Sequence, residues 1–200
     1  MPRLPAGVLL LAGTFYLILT YLFASFPTGP ALGRLLSDID VREHGSGNTG
    51  ATNVARILGK RLGVATLAGD MLKGLLPVLL APLVSPSTWF VGAVALVAFA
   101  GHCWSAYLDF RGGKGVATAA GALLALAPGP TLAALVSWLV VVRLTRRASI
   151  AALIAAAVLP LLCWGLVPTA APTALLLSLG VAWRHRDNVR RLRGGNELKI

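Results

Sequence analysis

Long apolar runs alternate with short polar segments along the whole chain. From position 4 to position 33 no charged residue occurs, and this is longer than the roughly 20 residues that a membrane-spanning helix needs. A secretory signal peptide is the alternative, but its apolar core is only about 7–15 residues long. Counting each run as one crossing predicts seven helices, some of them short and separated by prolines: Leu4–Gly33, Leu62–Val84, Thr88–Ala106, Gly115–Ala127, Thr131–Val142, Ile150–Val167 and Thr173–Trp183.

The composition agrees with a membrane protein. Hydrophobic residues make up 56% of the 200 residues, charged residues only 12%, and the mean hydropathy is +0.78. Soluble domains carry about 25% charged residues, so this chain lacks the polar surface that water requires. We therefore predict an all-α integral membrane protein in which residues 1–200 form a single multi-pass domain.

The few charges are strongly unbalanced, with a formal net charge of +11. All of the 18 basic residues except Arg3 and Lys73 lie in four segments, namely 34–61, 107–114, 143–147 and the tail after Trp183. Seven crossings place these segments on one membrane face, whereas a five-crossing arrangement that fuses the proline-separated pairs moves segment 143–147 to the other. Because positive residues favour the cytoplasm, we predict an outside N-terminus and a cytoplasmic C-terminus in the cell (inner) membrane.

The acidic residues are equally one-sided, because all of them except Asp70 lie in the same segments. A small anion or phosphate transporter, the alternative function, should show polar groups through the depth of the bilayer. Asp70 and Lys73 are the exception. At i, i+3 they share a helix face, where they can neutralise each other or serve a ligand directly. No nucleic-acid partner is expected, because Trp183 is the only aromatic residue near the basic tail to stack on bases.

Two glycine-rich segments have the composition of anion-binding loops. Residues 44–53 read HGSGNTGATN, which suits a backbone that turns its N–H groups toward an anion, and Arg56 follows closely. A flexible polar linker is the alternative. Residues 111–118 read RGGKGVAT and lead directly into an apolar helix, as in a phosphate cradle at a helix N-terminus. They are not a Walker A motif, because Leu108 or Asp109 stands where its first glycine would be.

The tail holds a third polar group. His185 and Asn188 are three residues apart, so on a helix they face the same side. Anchoring of a basic tail to anionic lipid headgroups is the alternative. No cluster of His, Cys or carboxylate residues has the spacing of a metal site.

Together these segments resemble the PlsY family of bacterial membrane glycerol-3-phosphate acyltransferases, which use acyl-phosphate as the donor. One position departs from the family, because Ser105 stands where a proline is usual, and this puts in question the bend before the second glycine loop. The matching blocks, in family order, are Ser46–Asn53 with Arg56, Asp70–Gly74, Gly101-His102 leading to Gly112–Thr118, and the tail residues His185, Asn188, Arg191, Gly195, Glu197 and Lys199.

The resemblance implies a reaction and its partners. A fatty acyl group would pass from acyl-phosphate to the sn-1 hydroxyl of glycerol 3-phosphate, giving 1-acylglycerol 3-phosphate (lysophosphatidic acid) and phosphate. This is the first acylation of phospholipid synthesis. The expected partners are acyl-phosphate, glycerol 3-phosphate and membrane lipid, without a cofactor or a metal. Since phosphate is a good leaving group, no enzyme nucleophile is required, and Cys103 and Cys163 are predicted to be small buried hydrophobes.

On this resemblance we also expect residue roles. His185 is either a general base or a positioning group, because the donor phosphate can itself accept the proton. Residues expected to bind the donor phosphate are Asn48, Thr52, Asn53, Gly112, Gly113, Lys114, Gly115 and Thr118. Residues expected to orient glycerol 3-phosphate are Ser46, Arg56, Lys114, His185 and Asn188, of which all but Arg56 are the catalytic candidates. Supporting residues are Asp70, Lys73, His102, which would hold the glycine loop, Arg191 and Glu197.

Overall fold

The computed structural model describes residues 5–200, and within that range all regular secondary structure is helical. The prediction of an all-α protein is therefore confirmed. Arg3, the basic residue expected on the outer face, and Leu4, the first residue of the first predicted crossing, lie outside the described residues. The helices are α1 Ala6–Ser25, α2 Thr28–Ser37, α3 Ala51–Leu58, α4 Lys60–Leu80, α5 Thr88–Cys103, α6 Val116–Leu126, α7 Pro128–Thr145, α8 Ala148–Leu166, α9 Ala171–Arg184 and α10 Arg186–Arg193.

Each of the seven predicted apolar runs contains a helix, but the helices differ in length. Five of those between residues 5 and 200 are long and apolar enough to cross a membrane, namely α1, α4, α5, α7 and α8 with their short extensions. Helix α6 has 11 residues and α9 has 14. At about 1.5 Å per residue, neither alone spans a hydrocarbon core of about 30 Å. Seven crossings therefore stay a prediction.

The first apolar run was wrongly predicted to be a single element. Helix α1 ends at Ser25, and the chain bends at Phe26 before α2 begins at Thr28. The physical reason is Pro27, since a proline ring disfavours helical conformation in the residue before it. The segment 34–61, expected to be a loop, likewise contains the end of α2, all of α3 and the first residues of α4. A run without charges shows where apolar surface lies and does not show where a helix stops.

The four basic segments meet at one end of the bundle. The Arg184 guanidinium donates hydrogen bonds to the backbone carbonyls of Gly112 and Gly113, at 2.9 and 3.0 Å. The Ile200 N–H donates to the Arg146 carbonyl at 2.8 Å. These contacts join the tail to the segments 107–114 and 143–147, and Arg56 joins it to the segment 34–61 through a 3.3 Å bond to a tail carbonyl. The four basic segments therefore lie together, in agreement with the prediction that they share one membrane face. The contacts do not depend on which side of the membrane that face is.

Glycines bring helices α4 and α6 into close contact. A Cβ atom on Gly74 of α4 would collide with the Thr118 carbonyl of α6, and one on Gly121 of α6 would collide with the Met71 carbonyl of α4. Small residues at such positions let backbones approach within a membrane, where dispersion contacts replace the hydrophobic effect. This contact places the loop before α6 directly beside the polar groups of α4.

We expect Gly121→Ala to lower the unfolding temperature in detergent, because the added methyl forces the two backbones apart at a cost of about 1–3 kcal/mol. Gly165→Ala in α8 is the matched control, since a Cβ atom added there would have no other atom within 4 Å. That variant should keep the unfolding temperature or raise it slightly, because alanine favours helix. Equal unfolding temperatures for the two variants would contradict the packing described for α4 and α6.

Candidate active site

A cavity of about 440 Å³ opens where the basic segments meet. One part of its wall is polar and the other is apolar, with Val116, Leu135 and Trp138 among the apolar residues. Most of the residues predicted from the sequence line it, namely Ser46, Asn48, Thr52, Asn53, Arg56, Asp70, His102, Lys114, Gly115, His185, Asn188, Arg191 and Glu197. Gly112, Gly113, Thr118 and Lys73 do not line it.

The loop 44–53 is organised by the side chain of Asn53, which is only 2% exposed. Its Nδ2 donates to the backbone carbonyls of Val41, His44 and Asn48, and its Oδ1 accepts the Ser46 N–H at 2.9 Å. The amide therefore has its hydrogen-bonding capacity filled by the protein. Asn53 shapes the loop that presents Ser46 and Asn48 to the cavity, and these internal bonds compete with its predicted binding of the donor phosphate.

The second glycine loop is also closed by internal bonds. The N–H groups of Gly112 and Gly113 donate to the carbonyls of Cys103 and His102, both at 3.1 Å. A Cβ on Gly113 would collide with the His102 ring, so only glycine fits there. The predicted anion cradle therefore cannot use these two N–H groups. Among the described residues of this loop, the N–H groups of Lys114 and Gly115 have no backbone partner. The first turn of α6, which begins at Val116, adds the unpaired N–H groups of a helix N-terminus.

The buried Asp70 joins three helices. Its carboxylate accepts from Lys73 Nζ at 2.7 Å and lies 3.7 Å from His102 Nδ1 on α5. Its backbone carbonyl accepts from the Thr118 hydroxyl of α6 at 2.9 Å. Thr118 is fully buried and its hydroxyl joins two helices. It does not line the cavity, although it was predicted to bind the donor phosphate there. Asp70 lies between a cation in its own helix and the histidine that supports the glycine loop.

His185 lies between α9 and α10 with one ring nitrogen already engaged. Its Nδ1 is 2.8 Å from the Val181 carbonyl, which can only accept, so Nδ1 carries the proton and donates. Burial lowers the pKa of His185 to about 4. At neutral pH the ring is therefore neutral, and Nε2 is left as an acceptor on the cavity side.

Three tail residues form one hydrogen-bonded group. Asn188 Nδ2 donates to Glu197 Oε1 at 2.6 Å, and Arg191 Nε donates to Glu197 Oε2 at 2.8 Å. Burial opposes ionisation of Glu197, but the hydrogen bonds, including those from Asn188 and Arg191, outweigh it and lower the pKa of this carboxyl. The carboxylate thus holds Asn188 and Arg191 at the cavity wall.

Lys114 is the ammonium group at the centre of the site. Burial lowers its pKa to about 8, and the positive charges of Arg191 and Arg184 act in the same direction. Among cavity-lining residues, Arg56 and Arg191 add guanidinium groups. Three positive side chains on the wall of one cavity favour the binding of an anion.

Comparisons with known proteins agree with this chemistry. Residues 14–195 match the family described as glycerol-3-phosphate acyltransferase. The chain belongs to the glycerol-3-phosphate acyltransferase family. A family member from Syntrophotalea carbinolica is 46% identical over 192 residues, which cover 94% of this chain and 98% of that protein. One from Geobacter sulfurreducens is 46% identical over 189 residues, covering 92% and 97%.

A solved structure is also similar to this acyltransferase-family chain. The crystal structure of PlsY, an integral membrane glycerol 3-phosphate acyltransferase, in its glycerol 3-phosphate form matches with a TM-score of 0.89 at 34% identity. The match covers 94% of this chain and 95% of that one. The resemblance to PlsY-type enzymes is therefore confirmed, and the chain is a multi-pass membrane protein.

Ser105, where this chain departs from the family pattern, still makes a bend. Its hydroxyl donates to the Ser25 carbonyl at 2.5 Å and accepts the Tyr107 N–H at 3.2 Å, so it caps the short helical turn that follows. Tyr21 supports the same corner by donating to the Trp104 carbonyl at 2.6 Å. A proline would restrict the backbone through its fixed φ angle. In this chain two hydrogen bonds of the Ser105 side chain stabilise the bend instead.

The most important residue that sequence reasoning missed is Arg184. It was counted only as an orienting charge, yet it holds both carbonyls of the glycine pair and lies 5.7 Å from the centre of the Trp104 ring. No local signal reveals this, since its partners are more than 70 positions away in the chain. Leu198 and Ile200, which add apolar surface to the cavity, were missed for the same reason.

The cysteines and the possible metal ligands complete the description of the site. Cys103 and Cys163 are both fully buried, as predicted. Between residues 5 and 200, no group of three or more His, Cys, Asp or Glu side chains is arranged to hold a metal ion.

We expect phosphate binding by this acyltransferase-family protein to weaken above pH 8. The Lys114 ammonium is present below its pKa of about 8 and is lost as the pH rises through it, so affinity should fall toward about tenfold per pH unit. Titration calorimetry with inorganic phosphate between pH 7 and pH 9.5 measures this. Lys114→Arg, which stays charged, should flatten the profile. Identical profiles for the two proteins would contradict the assignment.

Proposed function

We propose that the protein transfers a fatty acyl group from acyl-phosphate to the sn-1 hydroxyl of glycerol 3-phosphate. The hydroxyl oxygen attacks the acyl carbonyl carbon, the carbon–oxygen bond to phosphate breaks, and the hydroxyl proton leaves. The products are 1-acylglycerol 3-phosphate and phosphate. The observation that carries this proposal is the cavity in which Lys114, Arg56 and Arg191 lie beside an apolar wall.

Both substrates bring a phosphate to the polar part of this cavity. Lys114, Arg56 and Arg191 provide the cations, and the first turn of α6 provides backbone donors with the positive end of the helix dipole. We assign the donor phosphate to Gly115 and the start of α6, with Asn48 and Thr52 opposite. The same donors stabilise charge as it develops on the departing phosphate.

The acyl chain has a place in the apolar part. Val116, Leu135 and Trp138 line both the main cavity and a narrow extension of about 60 Å³ among α6, α7, α8 and α9. The extension is lined almost entirely by apolar side chains, among them Leu123, Leu159 and Leu177. A fatty chain entering there leaves its reactive carbonyl beside Lys114 and Gly115.

His185 faces the acceptor hydroxyl in this proposal. Its neutral ring offers Nε2 as a hydrogen-bond acceptor, while Ser46 and Asn188 complete the orientation of glycerol 3-phosphate. The proton has two routes, to His185 or to an oxygen of the donor phosphate, and the second requires from the protein only proximity.

We further propose seven crossings in one domain, an outside N-terminus and a cytoplasmic site in the inner membrane. The supporting observation is that the four basic segments meet at one end of the bundle. Positive residues favour the cytoplasm, and a charged, water-soluble acceptor reaches a cavity on that side without crossing lipid.

The donor is tested with protein purified in detergent, labelled glycerol 3-phosphate, and either acyl-phosphate or acyl-CoA. We expect labelled 1-acylglycerol 3-phosphate from acyl-phosphate alone, and none from Lys114→Ala. Product from acyl-CoA alone would refute the donor, and no product from either would refute the reaction. Uptake of labelled phosphate into vesicles without product would favour the transporter alternative.

The role of His185 is tested by His185→Ala at saturating substrate. If Nε2 takes the proton, turnover should fall far more than a hundredfold, at the high end of general-base effects. A loss of only a few fold would rule out the base and leave the phosphate oxygen as proton acceptor. His44→Ala, which removes an exposed histidine at the loop surface, is the matched control.

A further inference from the structure

Asp70 and Lys73 form a buried ion pair inside an apolar helix that is long enough to span a membrane. Lys73 Nζ lies 2.7 Å from Asp70 Oδ1, and the two residues are 5% and 2% exposed. Both belong to α4, so the ion pair itself connects no two helices. Replacing a buried ion pair with apolar side chains is often neutral or stabilising, so stability alone does not account for this one. Ionisable residues within spanning helices more often mark functional sites.

The two members of the pair differ in their relation to the cavity. Asp70 lines the cavity, whereas Lys73 does not. In the described part of the chain, the second carboxylate on the cavity wall is Glu197, and its partner Arg191, at 2.8 Å, belongs to the same wall. The cation that neutralises Asp70 therefore comes from outside the wall.

An uncompensated carboxylate on this wall would oppose the binding of phosphate. A phosphate monoester carries about 1.5 to 2 negative charges at pH 7. At an effective dielectric constant of about 20, a unit charge within about 10 Å changes the affinity for such a group by about tenfold or more. Asp70 lines the same cavity of about 440 Å³ as Lys114, so its charge acts on a bound anion without touching it.

The carboxylate nevertheless has a use at this point. Asp70 Oδ1 lies 3.7 Å from His102 Nδ1 on α5, and the His102 carbonyl accepts the Gly113 N–H at 3.1 Å. The His102 ring also lies against Gly113, where an added Cβ would collide with it. Asp70 therefore orients the histidine that supports the second glycine loop, immediately before Lys114.

We propose that Lys73 is a positioning residue for anion binding: by neutralising Asp70, it lets this carboxylate orient His102 without repelling the phosphate groups of the substrates. Lys73 acts through Asp70, because its own side chain does not line the cavity. This inference rests on the proposed function.

Two single variants should change phosphate binding in opposite directions. Asp70→Asn keeps the shape of the side chain but removes its negative charge, so Lys73 becomes an uncompensated cation near the site. Lys73→Met removes the cation and leaves the carboxylate uncompensated. Titration calorimetry with inorganic phosphate at pH 7 should show binding at least about tenfold tighter for Asp70→Asn and at least about tenfold weaker for Lys73→Met. The double variant should regain the affinity of the unmodified protein, because both charges are then absent.

Asp38→Asn is the matched control. It removes an exposed carboxylate that does not line the cavity, at a left-handed position that asparagine also adopts. Its phosphate affinity should equal that of the unmodified protein, which separates a charge effect at the cavity from a change in net charge.

The direction of the changes decides between the roles. A purely structural role of the ion pair predicts weaker phosphate binding in both single variants. Weaker or unchanged binding by folded Asp70→Asn therefore overturns the inference alone. If Asp70→Asn fails to fold, recovery of phosphate binding in the double variant relative to Lys73→Met supports the inference, and the absence of recovery overturns it. No acyl transfer by the unmodified protein overturns the proposed function, and no phosphate binding by it overturns both.

Discussion

Buried backbone in the two glycine-rich loops must have its polar groups hydrogen-bonded, and the site depends on this constraint. Two side chains donate hydrogen bonds to the carbonyl groups of these loops. Asn53 bonds three carbonyls of the first loop, and Arg184 bonds both carbonyls of the glycine pair in the second. Because these bonds fill the needs of the loops, the groups left unpaired are few and specific.

Those few groups define the chemistry of the cavity. The first turn of α6 keeps free N–H donors, and the side chains of Lys114, Arg56 and Arg191 add positive charge to the same cavity. These donors and cations suit an anionic ligand. A fully satisfied site would have nothing to offer a ligand.

Burial acts on both halves of the cavity. It lowers the pKa of Lys114 to about 8 and that of His185 to about 4, because both charged forms lose water. The same exclusion of water suits the apolar extension lined by Leu123 and Leu177. One environment therefore strengthens the attraction between Lys114 and any bound anion, and it favours apolar groups in the adjoining part of the cavity.

Periodicity and composition by themselves determined the helical membrane class and the gathering of basic residues, since apolar runs and charge positions are local properties of the chain. The resemblance to the PlsY family, carried by short sequence blocks, pointed to most residues of the cavity wall. They did not reveal the break at Pro27 as the end of a spanning helix. Some residues are of types that often bind phosphate, namely Gly113, Thr118 and Asn53. Only the tertiary structure shows that their hydrogen bonds are made to other parts of the protein. Arg184 and Glu197 act on residues that folding brings to them, and a hydrogen bond depends on where two groups lie in space, which spacing along the chain does not determine.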